Sequence, residues 1–313
     1  MSADASVASR ILAAAWPGAV AEPLLVSENA TFRVRGGPRP AVLRLHRPGY
    51  QDDAAIASEL AWIAALRRDT AVPLVEPLVT AAGPILVDPE TGRRAVLFAE
   101  IPGGPVPDGA LDAAHFAELG DIAAVFHDHA AGWTRPAGFA RFAWDVGDLV
   151  GERARWGDWR RGPAVTAQHV AAIEPAAERA ARRVDAHGRT PDRYGLLHGD
   201  LRAANLVTSG GGFTVIDFDD SGFGWHLFEF AAAASFVETD PRLPEWARSW
   251  AGAYRRRRSL PAEHEALLPD FVLLRRLQLL GWLGTHGHAV EADPGFADGT
   301  VEVASRYLAG RLL

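Results

Sequence analysis

The 313-residue chain carries 39 acidic against 32 basic side chains, a formal net charge of −7, with 48% hydrophobic and 23% charged residues. That balance fits one or two globular domains with a sizeable core and disfavours a nucleic-acid partner, whose phosphates would meet net negative charge. Cysteine is absent, which excludes disulfides, thiolate metal sites and cysteine nucleophiles; lysine is absent too, so every basic charge is an arginine.

No apolar run approaches the ~18 to 20 residues that span a bilayer, and the opening Met1-Ser2-Ala3-Asp4 carries an acid where a signal peptide carries a base. The expectation is a cytoplasmic protein with no membrane partner; nothing in the sequence signals an oligomeric state.

The first hundred residues mix strand patterns, such as Ala41 to Leu45 and Arg94 to Phe98, with one helical stretch from about Asp52 to Arg68. Ile56, Leu60, Ile63 and Leu66 give that helix one apolar face, and Glu59 lies beside it, where it can point inward. Alternation along the strand puts Val42, Arg44 and His46 on one face and Leu43 and Leu45 on the other.

Ile101-Pro102-Gly103-Gly104-Pro105-Val106-Pro107 interrupts any regular element and predicts a boundary between a unit of residues 1–100 and one of residues 101–313. Beyond it helices are predicted over Asp112 to Ala131, Val165 to Ala186, Trp225 to Val237, Pro244 to Arg257, Ala262 to His286 and a last one ending near Leu313. One β interruption breaks the run: Gly195 to Leu197, Leu206-Val207 and Phe213 to Ile216 flank the turn Ser209-Gly210-Gly211-Gly212. Residues Ala140 to Pro163 show no period and read as irregular. His127-Asp128-His129 and His286-Gly287-His288 read as helix-end or packed histidines, because His-x-His on a helix turns the rings apart.

The segment that carries chemistry is His198-Gly199-Asp200-Leu201-Arg202-Ala203-Ala204-Asn205, followed after the hairpin by Asp217-Phe218-Asp219-Asp220. Phosphoryl transfer to a hydroxyl needs a carboxylate that orients the nucleophile and takes its proton, and oxygen ligands that hold magnesium against the phosphates. Asp200, Asn205 and Asp217 supply those parts at the spacing of a kinase catalytic loop and metal-binding turn.

In these motifs the chain resembles the aminoglycoside phosphotransferase superfamily, with its choline kinases, type II homoserine kinases and bacterial stress-response Ser/Thr kinases. Local similarity over Leu43 to Pro48 and Asp217 to Trp225 leans toward the last two. The resemblance implies an α+β, two-lobed protein-kinase-like fold with a small β-rich N-lobe, a larger mainly helical C-lobe, and ATP and Mg2+ as cofactors. It makes Asp200 the catalytic base, Asn205 and Asp217 the magnesium ligands, and His198 a brace of the loop. Gly199 stands where protein kinases have arginine.

The same resemblance gives Asn29 and Thr31, in Ser27 to Val34, the place of a phosphate loop. It gives Arg44 the place of the usual lysine, paired to Glu59, and Glu100 and Ile101 a linker whose backbone meets adenine. Arginine keeps the charge but is bulkier and forked. Asp219 and Asp220 are candidates for the metal or acceptor site, as is Glu229, where many relatives have aspartate. The implied acceptor is a small amino alcohol, homoserine, an aminoglycoside or a protein serine or threonine. Two rival readings are a pseudokinase without turnover, which rests on Arg44, and a metallohydrolase using His198, Asp200 and Asp217.

Overall fold

Short polar breaks and alternating apolar residues shape the start of the chain in the computed structural model, which describes residues 2–26, 29–107, 110–209, 212–286 and 295–313. In chain order the elements are α1 (Ala3–Ala15), β1 (Val20–Val26), β2 (Ala30–Arg35), β3 (Ala41–Leu45), α2 (Asp53–Asp69), β4 (Pro77–Leu78), β5 (Leu86–Val87), β6 (Arg94–Ala99) and β7 (Gly104–Pro105). There follow α3 (Ala113–Gly132), α4 (Val146–Val150), α5 (Ala167–His187), β8 (Tyr194–Leu197), β9 (Leu206–Ser209), β10 (Gly212–Val215) and β11 (Gly222–Trp225). The chain closes with α6 (Phe228–Ala233), α7 (Leu243–Arg255), α8 (Ala262–Glu265), α9 (Leu268–Thr285) and α10 (Phe296–Leu308). This is the mixed α+β plan expected, an antiparallel sheet early and helices late.

The chain divides into two compact units: Met1–Gly104 with Thr134–Arg141 and Val207–Asp219, and Pro105–Trp133 with Phe142–Leu206 and Asp220–Leu313. The loop His198 to Asn205 therefore belongs to the second unit, as does Asp220, and Asp217 to Asp219 belong to the first.

In the first unit the antiparallel sheet runs β1-β2-β3-β6-β4, with β5 also on β6. Ala41, Leu43 and Leu45 of β3 enter a core with Phe32 and Val34 of β2, Leu97 of β6, and Ile11 and Leu12 of α1. Burial on that face commits Arg44 to the opposite one, because side chains alternate along a strand. The register sets Thr31 of β2 opposite Arg44. Asp52 caps α2 by accepting from the Ala55 amide at 2.8 Å, and the helix buries Ile56, Glu59, Leu60, Ile63 and Leu66. β10 joins this unit through Val75 N–H to Val215 O at 3.0 Å and Val215 N–H to Pro73 O at 2.9 Å.

The second unit is built around α9, buried on all sides from Leu268 to Leu283 apart from Pro269. Helix α3 lies against α7 so closely that a Cβ on Gly120 would stand 2.3 Å from Trp250 O, a position only glycine can fill. Phe116 stacks on Trp246 with centroids 4.8 Å apart.

Several elements differ from expectation. An additional helix, α1, opens the chain: Val7, Ala8, Ile11 and Leu12 form its buried stripe, an amphipathic pattern in an alanine-rich stretch. The helix expected over Trp225 to Val237 is only Phe228–Ala233, because Trp225 completes strand β11 against Tyr194. The helix expected over Ala262 to His286 breaks into α8 and α9, with Pro269 in the first turn of the second. The stretch from Ala140 to Pro163 holds α4 and a short 3-10 turn at Trp159–Arg161, and its Trp144, Trp156 and Trp159 are buried. His127 is packed, stacked on His226 at 4.2 Å. Gly287 and His288, like Gly210 and Gly211 of the hairpin turn, lie outside the described residues. Among the described residues no helix is long and apolar enough to cross a membrane.

Candidate active site

β8 and β11 pair from Leu197↔Gly222 to Tyr194↔Trp225, and the loop that leaves β8 holds His198 to Asn205. Gly199 sits at φ +80°, and a Cβ there would stand 2.6 Å from Trp144 Nε1 and 2.8 Å from Asp220 O. Only glycine fits both the backbone region and the space. Glu229 lies beneath the loop with no exposure. It accepts from His198 N–H at 2.6 Å and Gly199 N–H at 3.3 Å. Burial pushes the Glu229 carboxyl up to about 7, the two amides only partly offsetting it and the charge of Asp200 adding to it. His198 is buried against Phe126, and its Nδ1 accepts from Asp200 N–H at 3.3 Å, so it braces the turn.

Asp200 is held by both oxygens. Oδ2 accepts from Asn205 Nδ2 at 2.7 Å, and the same amide reaches Asp200 O at 2.9 Å. Oδ1 accepts from Arg275 Nη2 of α9, and Arg202 Nε lies 3.5 Å from Oδ2. Burial opposes the charge of Asp200, but Arg275, Arg202 and His198 outweigh it and hold the carboxyl below the usual carboxylate range.

In the first unit Arg44 and Glu59 come together. Arg44 Nη2 donates to Glu59 Oε1 at 2.8 Å and to Oε2 at 2.7 Å, with side chains 7% and 0% exposed. Arg44 Nη1 also reaches Asp217 Oδ1 at 3.2 Å, and Asp219 Oδ1 lies 3.9 Å from Nη2. Burial works against the charge of Arg44, but Glu59, Asp219 and Asp217 outweigh it and keep it firmly protonated. Asp217 stands in the left-handed region at φ +60°, a sparsely populated conformation that aspartate tolerates better than most.

Asp219 is buried and well below the usual carboxylate range, with Arg44, His46 and Asn29 overcoming its desolvation. Asn29 is a bridge: its Nδ2 donates to Asp219 Oδ2 at 2.8 Å and its Oδ1 accepts from Arg47 N–H at 3.0 Å. Ser27 and Glu28, next to it, lie outside the described residues. Glu100 accepts from Arg33 Nε at 2.6 Å, and its N–H donates to Pro40 O at 3.1 Å. Ile101 follows it and is half-buried. Asp220 O accepts from Trp144 Nε1 at 3.0 Å.

Arg275, Ser235, Gln278 and Trp144 are parts of this arrangement that sequence reasoning missed. The available signal was a polar interruption, Arg275-Arg276 and Gln278, inside the otherwise apolar run Phe271 to Leu280.

Each unit carries an oxygen donor of the kind a hard divalent cation takes. Both amide contacts of Asn205 to Asp200 run through nitrogen, which turns its Oδ1 away from Asp200. The Asp217 side chain is 46% exposed although Arg44 engages one oxygen. Amide and carboxylate oxygens are what magnesium takes.

A carboxylate held from two sides after a β-strand in one unit, and a buried arginine–glutamate pair beside an acidic turn in the other, are parts that a kinase-type phosphotransferase needs. The profile described as "Phosphotransferase enzyme family" matches residues 21–267, and the chain belongs to that family. It is 32% identical over 274 residues to an uncharacterized protein of Deinococcus radiodurans, covering 84% of this chain and 76% of that one. The solved structure of a microcompartment-associated aminopropanol kinase is similar with a TM-score of 0.88 and 43% identity, covering 98% of each chain. The amicoumacin kinase hAmiN, solved in complex with AMP-PNP, Ca2+ and Ami, has the same fold at a TM-score of 0.73 and 17% identity, covering 93% of this chain and 88% of that one.

Proposed function

We propose that this enzyme moves the γ-phosphoryl group of ATP to the hydroxyl of a short amino alcohol, with magnesium as the divalent cation. The observation that carries the reading is 43% identity along 98% of both chains to a protein described as an aminopropanol kinase. In this reading the acceptor oxygen forms a bond to the γ-phosphorus while the bond from that phosphorus to the β–γ bridging oxygen breaks. ADP leaves, and the hydroxyl proton passes to Asp200. Asn205 and Asp217 would each supply an oxygen ligand to the metal, which when bound would neutralise phosphate charge.

Arg44 keeps the cation that the family usually draws from lysine. Its two-pronged hold on Glu59 supports turnover rather than a silent nucleotide-binding module. Glu100 and Ile101 would meet the adenine through their backbone, as their position after β6 suggests. Asn29 would steady the phosphate-facing segment through Asp219 rather than by direct contact, and Thr31 would line the same strand face as its partner Arg44.

The test is phosphoryl transfer from ATP, followed by phosphorus NMR, across 1-amino-2-propanol, ethanolamine, choline, homoserine and an aminoglycoside, with and without magnesium. Transfer to a short amino alcohol, lost in Asp200→Ala and Asp217→Ala, is the expected result. Transfer confined to homoserine or an aminoglycoside would replace the acceptor. Magnesium-independent transfer that survives Asp200→Ala would remove the mechanism.

A further inference from the structure

We propose that Arg275 is a positioning residue for the base: it fixes the Asp200 carboxylate from α9, and turnover depends on that hold. The inference rests on the reading of Asp200 as the base and assigns a role to a residue 75 positions further along the chain.

The two holds on Asp200 differ in kind. Asn205 belongs to the same short loop, so its bonds to Asp200 Oδ2 and O, at 2.7 and 2.9 Å, move with the loop. Arg275 comes from α9, a separate element of the unit that is buried from Leu268 to Leu283 apart from Pro269. A carboxylate bound at Oδ2 alone can still swing about its last bond; a second donor at Oδ1, fixed to separate scaffold, removes that freedom.

The guanidinium is itself held rigidly. Its Nε donates to Ser235 Oγ at 3.0 Å and its Nη1 to Gln278 Oε1 at 2.9 Å. The side chain is 4% exposed. The rings of Phe228 and Trp144 lie 5.8 and 5.9 Å from its Cζ. Each of the three nitrogens thus has its own acceptor in its own direction, which a planar fork can meet and a lysine ammonium on a flexible stem cannot.

Chemistry favours such a hold. The transition state of phosphoryl transfer is loose, so the base contributes mainly by orienting the hydroxyl and accepts the proton late. A carboxylate whose direction is fixed, at some expense of basicity, serves that purpose. The neighbouring Arg276 shows the contrast: it donates to Glu238 at 2.6 Å, Thr300 at 3.0 Å and Phe296 O at 3.1 Å, all on the scaffold side. Adjacent helical positions diverge by about 100°, so one arginine faces the base and the other the packing.

The experiment compares Arg275→Gln, Arg275→Lys and Arg275→Ala with Ser235→Ala, Gln278→Ala and Asp200→Asn, by steady-state kinetics in ATP and acceptor. For Arg275→Gln, kcat should fall about 100-fold while KM for ATP stays within about twofold, because the lost element is orientation and not nucleotide binding. Arg275→Lys should recover only a small part of kcat. Arg275→Ala should regain activity on addition of low concentrations of methylguanidinium, and Asp200→Asn should not.

Ser235→Ala and Gln278→Ala each release one anchor and should lower kcat by about threefold to tenfold. They keep the inference testable if the Arg275 variants fold poorly. Wild-type kcat in Arg275→Gln, or inactive Arg275→Ala without rescue combined with unchanged kcat in both anchor variants, would overturn it. Retained turnover in Asp200→Asn would instead overturn the reading of the base, which separates the two failures.

Discussion

The pairs Arg44–Glu59 and Arg275–Asp200 are both arginine–carboxylate contacts, yet they differ in where the acid lies. Glu59 has no exposure and gives both oxygens to one nitrogen of Arg44, whereas Asp200 keeps 18% side-chain exposure and divides its oxygens between Asn205 and Arg275. In the first pair the acid serves the arginine, holding a cation in place; in the second the arginine serves the acid. A fully buried carboxylate can only orient its partner, while a partly exposed one held on two sides is free to meet something else.

Removing Asp200 sharpens this contrast most. Asp200→Ala should lower kcat by about 10³-fold, with the folded state retained in circular dichroism. An undiminished rate would mean that Asp200 is merely another brace. Removing the serving acid should act on stability instead. Glu59→Ala leaves Arg44 buried without its main counter-charge and should cost about 3 to 5 kcal/mol in urea unfolding, with a raised KM for ATP. A loss of kcat alone would erase the distinction.

Gly199→Ala tests the loop that carries Asp200. The left-handed backbone and the contact with Trp144 and Asp220 should cost about 1 to 3 kcal/mol and reduce turnover. A variant as stable as wild type would show that the loop can move.

The smallest effect concerns pH. Burial holds His127 well below its ordinary value and brings His226 down to about 3, with like charge from neighbouring groups adding to each, while Glu229 is raised to about 7. Below pH 6.5 the unfolded chain takes up protons on these histidines that the folded chain refuses, so stability should fall as pH drops. Glu229 works the other way: between about 7 and its ordinary 4.5 the folded state binds the extra proton, which adds stability as pH falls. Urea midpoints at stepped pH should therefore decline below 6.5, and decline more steeply in Glu229→Gln. A curve that rises on acidification in both proteins would contradict the assignment.

Much of this was legible in the sequence, for a local reason. His198, Gly199, Asp200, Asn205 and Asp217 lie within 20 residues, and Asp200, Asn205 and Asp217 among them stand at the short spacing of a kinase-type loop and turn. The β3 alternation likewise placed Arg44 opposite the core-facing Leu43 and Leu45, and the α2 pattern allowed Glu59 to turn inward. The helix α1 was missed because its short stripe, Val7, Ala8, Ile11 and Leu12, is set among alanines, whose weak apolar signal blurs the period.

The sequence by itself determined the chemistry class and the α+β plan and singled out the acids proposed to act, because those follow from motifs and periods read over a few turns of chain. Only the tertiary structure decided that Arg275 meets Asp200 and Arg276 meets Glu238, and that Glu59 is held by Arg44 while Asp200 stays partly open. A helix buried on all sides has no polar face to mark direction, so which arginine meets which acid is fixed by packing between segments 75 residues apart.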